Sequence, residues 1–140
     1  MITINAIELA AGIGSDVNYE IDDLDEMITN GDKPADIQRK WNHISSLLTG
    51  MAYVLDYTEE DIERHELTGL IEDMRDNLSR YRRRCMEIIW SAQCGRKVEV
   101  KMDGGKWALA IEGNDVCAPQ LYLDLDTLDD VQAKYHSLFR

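Results

Sequence analysis

The sequence predicts an α+β chain: an N-terminal antiparallel helical hairpin, then a C-terminal three-stranded antiparallel β-meander with a closing helix. Two observations carry this. Between residues 34 and 94 apolar side chains recur at alternating steps of four and three, the spacing of a helical seam. From residue 97 the period drops to two, with glycine-rich turns between short runs, as strands and hairpins require. At 140 residues one domain is the default. It is expected to comprise an acidic helical part at 1–95 and a β-β-β-α part at 96–140 packed on it.

The opening is the least regular stretch. Ile2 and Ile4 alternate as a strand would, Asn5 to Ala11 suits a helix equally, and Gly12-Ile13-Gly14 is expected to break either one. Ser15 or Asp16 then caps a helix carrying Val17, Ile21, Leu24 and Met27, which ends at Asn30-Gly31-Asp32. Pro34 suits a first helical turn, where its missing N–H costs nothing. Ile37, Trp41, Ile44, Leu48, Met51 and Leu55 form the next seam, and Asp36 precedes Lys40 by one turn. Thr58-Glu59-Glu60-Asp61 approximates a capping box. A second seam follows through Leu67, Ile71, Met74, Leu78, Tyr81, Cys85, Ile88 and Ala92, with Gly95 where a C-terminal glycine is wanted.

Helices are thus expected at about 34–56 and 59–94, roughly 35 and 54 Å long. Their short connection makes them antiparallel, with Gly69 passing near Ser45 or Ser46. The longer helix has a surplus apolar stripe near Tyr81 to Trp90. It must be covered by the first helix, the C-terminal part or another copy of the chain. Beyond it, Val98, Val100 and Met102 alternate with charged residues, and Asp103-Gly104-Gly105 makes a tight turn. Trp107, Leu109 and Ile111 return. A third strand follows Pro119 through Leu121, Tyr122 and Leu123, and Thr127 caps a helix with seam Leu128, Val131, Tyr135 and Leu138.

The net charge of −12 arises in blocks. Residues 1–74 hold 4 basic against 17 acidic side chains, 75–106 hold 9 against 4, and 107–140 hold 2 against 6. Such a balance repels nucleic acid and anionic membrane, so neither is an expected direct partner. No apolar run approaches the ~20 residues of a spanning helix. The first residues lack the basic start and apolar core of a secretory signal. With three cysteines and no CxxC pair, a reducing cytoplasm is the expected location.

No motif names a reaction. His43, His65 and His136 fall on separate elements without HxxxH spacing, so no metal site is expected. Cys85 lies on an apolar seam, where a thiol is inert, and Cys94 has no histidine nearby in sequence to serve as a base. Gly12-Ile13-Gly14 lacks the remainder of a dinucleotide fingerprint, and no P-loop is present. No cofactor is expected. The acidic runs sit among other charges rather than in the apolar surroundings that separate catalytic pKa values.

Two clusters remain as candidate contact surfaces. The first is acidic: Asp22, Asp23, Asp25, Glu26, Glu59, Glu60, Asp61 and Glu63. The second is basic: Arg80, Arg82, Arg83 and Arg84, four arginines within five residues of a helix interior. Asp76 is expected to pair with Arg80 and Glu87 with Arg83, leaving Arg82 and Arg84 without local partners. These two arginines either bridge to the acidic 22–26 segment or form a patch for carboxylate or phosphate. In size, charge and compactness the chain is similar to the small acidic accessory proteins of phages and mobile elements, including anti-CRISPR and DNA-mimic inhibitors. No residue motif carries that similarity.

The leading expectation is a non-enzymatic protein that binds and inhibits or modulates a macromolecular partner. Its carboxylates would occupy a basic, nucleic-acid-binding site. A self-associating helical scaffold, dimeric through the surplus stripe, is the second reading. A binder of anions or small ligands at Arg80–Arg84 is the third.

Overall fold

A computed structural model describes residues 6–56 and 61–139, with side chains from residue 12 onward and, beyond the gap, from residue 64. The elements are α1 (Ala6–Asn30), α2 (Pro34–Asp56), α3 (Asp61–Cys94), β1 (Val98–Asp103), β2 (Lys106–Ile111), β3 (Gln120–Leu125) and α4 (Leu128–Leu138). The α+β class is as the sequence predicts. The Ile2–Ile4 alternation and the capping box at Thr58 lie outside the described residues. These elements form two compact units, Met1–Tyr81 and Arg82–Arg140. The end of α3 therefore groups with the sheet, whereas the change of period at residue 96 had been expected to mark the division.

The first unit differs from expectation at its start. Gly12-Ile13-Gly14 does not interrupt α1, which is one helix of 25 residues. The magnitudes explain this. An interior glycine costs about 1 kcal/mol of helix stability. Burying Val17, Ile21 and Leu24, each at most 1% exposed, contributes about 1.5–3 kcal/mol apiece. Gly14 joins that buried face, and a Cβ there would lie 3.9 Å from the terminal methyls of Met51 on α2 and Met74 on α3. The helix ends as the sequence indicates. Gly31, at φ 70°, donates to the Ile28 carbonyl, and Asp32 donates to that of Met27. That pair of bonds is a Schellman motif.

Three residues separate α1 from α2, and these two helices make the close backbone packing of this unit. The α2 seam buries Ile37, Ile44, Leu48 and Met51, with Trp41 and Leu55 half-buried, and α3 contributes Leu67, Ile71 and Leu78. Gly69 is exposed, with nothing within 4 Å of a built Cβ, so the expected close approach to Ser45 or Ser46 is not made. Lys40 does not pair with Asp36, which binds Arg39 instead. It reaches across to Glu20 and Asp23 on α1.

The second unit is a sheet of order β1-β2-β3, antiparallel throughout, covered on one face by helix. Gly104 and Gly105, both at positive φ, form the two-residue turn between the paired Asp103 and Lys106. The core holds Met86 and Trp90 of α3, Val98, Val100, Leu109 and Ile111 of the sheet, and Val131 and Tyr135 of α4. The surplus stripe of α3 is thus covered by the C-terminal sheet. Its register moves from the expected Ile88 and Ala92 to Met86 and Trp90, since a sheet presents a broader surface than a helical seam. Trp90 stacks on Tyr135 with ring centroids 4.2 Å apart and planes within 8°. Thr127 makes the full capping box with Asp130 that opens α4.

A test separates a continuous α1 from one broken at its glycines. Gly12 has open space around its Cβ position and helical backbone. Gly12→Ala is expected to raise unfolding stability by about 0.5–1 kcal/mol in urea titration, whereas a turn at this position would make it destabilising.

Candidate functional site

Dividing the charges by unit sharpens the picture that sequence blocks give. Met1–Tyr81 contains 6 basic and 18 acidic side chains, a net of −12. Arg82–Arg140 contains 9 of each, a net of zero. The entire net charge belongs to the helical unit. The basic middle of the chain is split between the units and neutralised in the second.

Within the acidic set, Asp22, Asp25 and Glu26 are exposed on α1, and none makes an ion pair among the described residues. Their spacing puts Asp22 one turn from both others. Asp23 is half-buried and held 2.7 Å from Lys40, whose ammonium Asp23 and then Glu20 hold above its usual pKa. Glu59 and Glu60 lie outside the described residues. Asp61 and Glu63 fall on α3 ahead of its described side chains. Two further features belong to the acidic surface. Tyr19, 71% exposed, shares a helix face with Asp22 and Glu26. Glu66, Glu72, Asp73 and Asp76 are exposed along α3. They are dispersed among Arg64, Arg75 and Arg80 and so form no acidic run in the sequence.

The arginine cluster is taken up in structure. Arg82, expected to have no local partner and to reach the 22–26 carboxylates or stay exposed, instead pairs with Asp129 on α4 and donates to Gln132 at 3.1 Å. Arg83 pairs with Glu87 at 3.3 Å, as expected, and also donates to the Val100 carbonyl at 3.2 Å. Arg84, expected to have no local partner, does have one: it lies 3.7 Å from Glu87, three residues on. Arg80 is exposed, and its expected pair with Asp76 is not among the ion pairs of the described residues. The partners of Arg82, Arg83 and Arg84 lie in their own unit rather than among the 22–26 carboxylates. A depression of about 480 Å³ beside Arg84 is lined by Glu87, Ser91, Lys97 and Glu99 as well. Its charges balance, with Lys97 3.1 Å from Glu99. Lys101 first, then Lys97, hold the Glu99 carboxyl below the usual carboxylate range. Nothing there favours an added anion.

Glu87 is the one buried charged side chain among the described residues, at 7% exposure. One carboxylate oxygen faces Arg83 and Arg84, and the other accepts the Val100 N–H at 2.9 Å. One turn further along α3, the Ser91 hydroxyl oxygen accepts the Val98 N–H at 2.9 Å. Arg83, Glu87 and Ser91, spaced by four, therefore occupy the outer edge of β1 as a neighbouring strand would. His43, His65 and His136 are exposed on α2, α3 and α4, and no group of three metal-ligating side chains occurs among the described residues.

Three expectations follow. Glu87→Ala strands the buried Val100 N–H and should cost about 1–3 kcal/mol in chemical denaturation, with Glu87→Gln costing less because it keeps an acceptor. Burial pushes the Cys85 thiol from the ordinary 9.0 up to about 12, against the opposing field of Arg84. Burial also raises Tyr135, and carboxylates raise Lys40. All three keep their protons more tightly when folded. Their contribution is complete below the unfolded pKa and is lost as pH rises through the folded one. The melting temperature should fall across pH 9.0 to about 12. At neutral pH a thiol reagent should label exposed Cys117 but not Cys85 until the protein unfolds. No family model, curated protein or solved structure matches this chain.

Proposed function

We propose that this protein is a non-catalytic binding protein whose helical unit presents carboxylates to the basic surface of a macromolecular partner. The partner's surface is of the kind that nucleic-acid-binding proteins offer to phosphate. One observation carries the reading: a net charge of −12 belongs to one unit of a chain whose other unit is neutral. Solubility alone does not require that asymmetry. Carboxylates repeated along helix faces meet rows of lysine and arginine as a phosphate backbone does, and they hasten encounter as well as select the partner. Exposed Tyr19 beside Asp22 and Glu26 adds an apolar anchor of the type enriched at interfaces. The alternatives have less to stand on. The α3 stripe that motivated a helical scaffold is covered by its own sheet, and three of the four arginines are engaged within their unit.

The test is capture of the partner from a lysate by the full-length chain, repeated across a salt series. Binding is expected to weaken steeply from low to moderate salt and to compete with DNA for the captured partner. The combined variant Asp22→Asn, Asp25→Asn, Glu26→Gln should weaken it roughly tenfold with the fold intact. Association that ignores both salt and this variant would overturn the reading.

A further inference from the structure

The two edges of the sheet are treated differently. The outer edge of β1 is closed by the α3 side chains Glu87 and Ser91, which take the Val100 and Val98 N–H groups, and by Arg83 on the Val100 carbonyl. These bonds also fix the direction of every backbone group in the ladder. Val98 and Val100 point outward, while the Lys97 carbonyl accepts from Glu112, just past the end of β2. In an antiparallel sheet the directions alternate along each strand. Leu109 and Ile111 therefore bond to Tyr122 and Gln120 across the β2–β3 register. The backbone of Leu121 and Leu123 then points away from the sheet, and among the described residues no hydrogen bond outside the ladder reaches it.

The side chains agree. Leu121 is 62% and Leu123 51% exposed, both on the face opposite the core. The edge has a defined end, because Asp124 takes a left-handed φ of 62° beside the β-bulge. A short apolar strand with unpaired donors and acceptors is a template for another strand.

We propose that this edge pairs with the same edge of a second copy of the chain, antiparallel and centred on Tyr122. Symmetry makes the segment complementary to itself. With Tyr122 opposite the partner's Tyr122, Leu121 meets the partner's Leu123 and each exchanges both backbone hydrogen bonds with it. The leucines of the two copies form one apolar cluster on a continuous sheet. Charge favours this occupant. Asp124 falls opposite the partner's neutral Gln120, so no carboxylates face each other. The partner's Asp124 becomes a diagonal neighbour of Tyr122, over whose ring the Lys134 ammonium sits at 4.5 Å. The unit that carries the edge is neutral, whereas two helical units of −12 would repel.

The experiment is sedimentation equilibrium of the full-length chain up to millimolar concentration. The wild type is expected to be dimeric. Leu121→Lys with Leu123→Lys, which gathers four ammonium groups at the junction, should give a monomer with unchanged far-UV circular dichroism. Leu121→Pro removes the outward N–H without adding charge and should do the same. The carboxylate variant of α1 should remain dimeric, so loss of acidic-face binding and loss of the dimer are read separately. A monomeric wild type, or a dimer that survives the double lysine variant, would overturn the proposal.

Discussion

A carboxylate out of water holds the C-terminal unit together. Glu87 is buried on α3, and a charge in that position is tolerable only when both of its oxygens are occupied. Arg83 and Arg84 neutralise one side, and the Val100 N–H takes the other. Because Val100 is part of β1, the bond sets the height of the strand along the helix, and Ser91 repeats the contact a turn later. With β1 fixed in that register, Val98 and Val100 project onto Met86 and Trp90, and the hydrophobic layer follows. A helix supplying side chains where a fourth strand would supply backbone is what lets this sheet stop at β1.

The same arrangement explains why an arginine-rich helix segment need not be a binding patch. Four arginines in five residues read as an electrostatic excess when the chain is considered as a line. Folded, Arg82 is answered by Asp129 on α4, and Arg83 and Arg84 by Glu87. The unit that contains Arg82, Arg83 and Arg84 has no net charge. The helical unit is the contrary case. Lys40 satisfies Glu20 and Asp23 where α1 meets α2, but Asp22, Asp25 and Glu26 stay in solvent with no ion pair among the described residues. Charge is thus internal and structural in one unit, external and unbalanced in the other. The proposed acidic contact and the proposed β3 pairing accordingly draw on different parts of the chain.

Much of the architecture was legible because its causes are local. Pro34, Gly95, the Gly104-Gly105 turn and Thr127 each impose a backbone geometry on their immediate neighbours, and all mark element ends where expected. The seams on α2 and α4 likewise appear directly as a repeat of apolar residues. Gly12 and Gly14 misled for the complementary reason. Their local preference is worth about 1 kcal/mol each, and it is outweighed by burial against α2 and α3 that nothing nearby in the sequence announces. The Arg83–Glu87 pair was legible from its spacing, but its place at a strand edge beside Ser91 was not, since polar residues four apart look the same whether they face water or a strand.

Periodicity, turn chemistry and capping thus set which segments become helix or strand, as interactions spanning a few residues suffice for that. Which helix lies against which, where α3 passes from one core to the other, and which carboxylates find a cation depend on residues distant in the chain. Those contacts are won by packing and desolvation, energies that exist only once the elements meet.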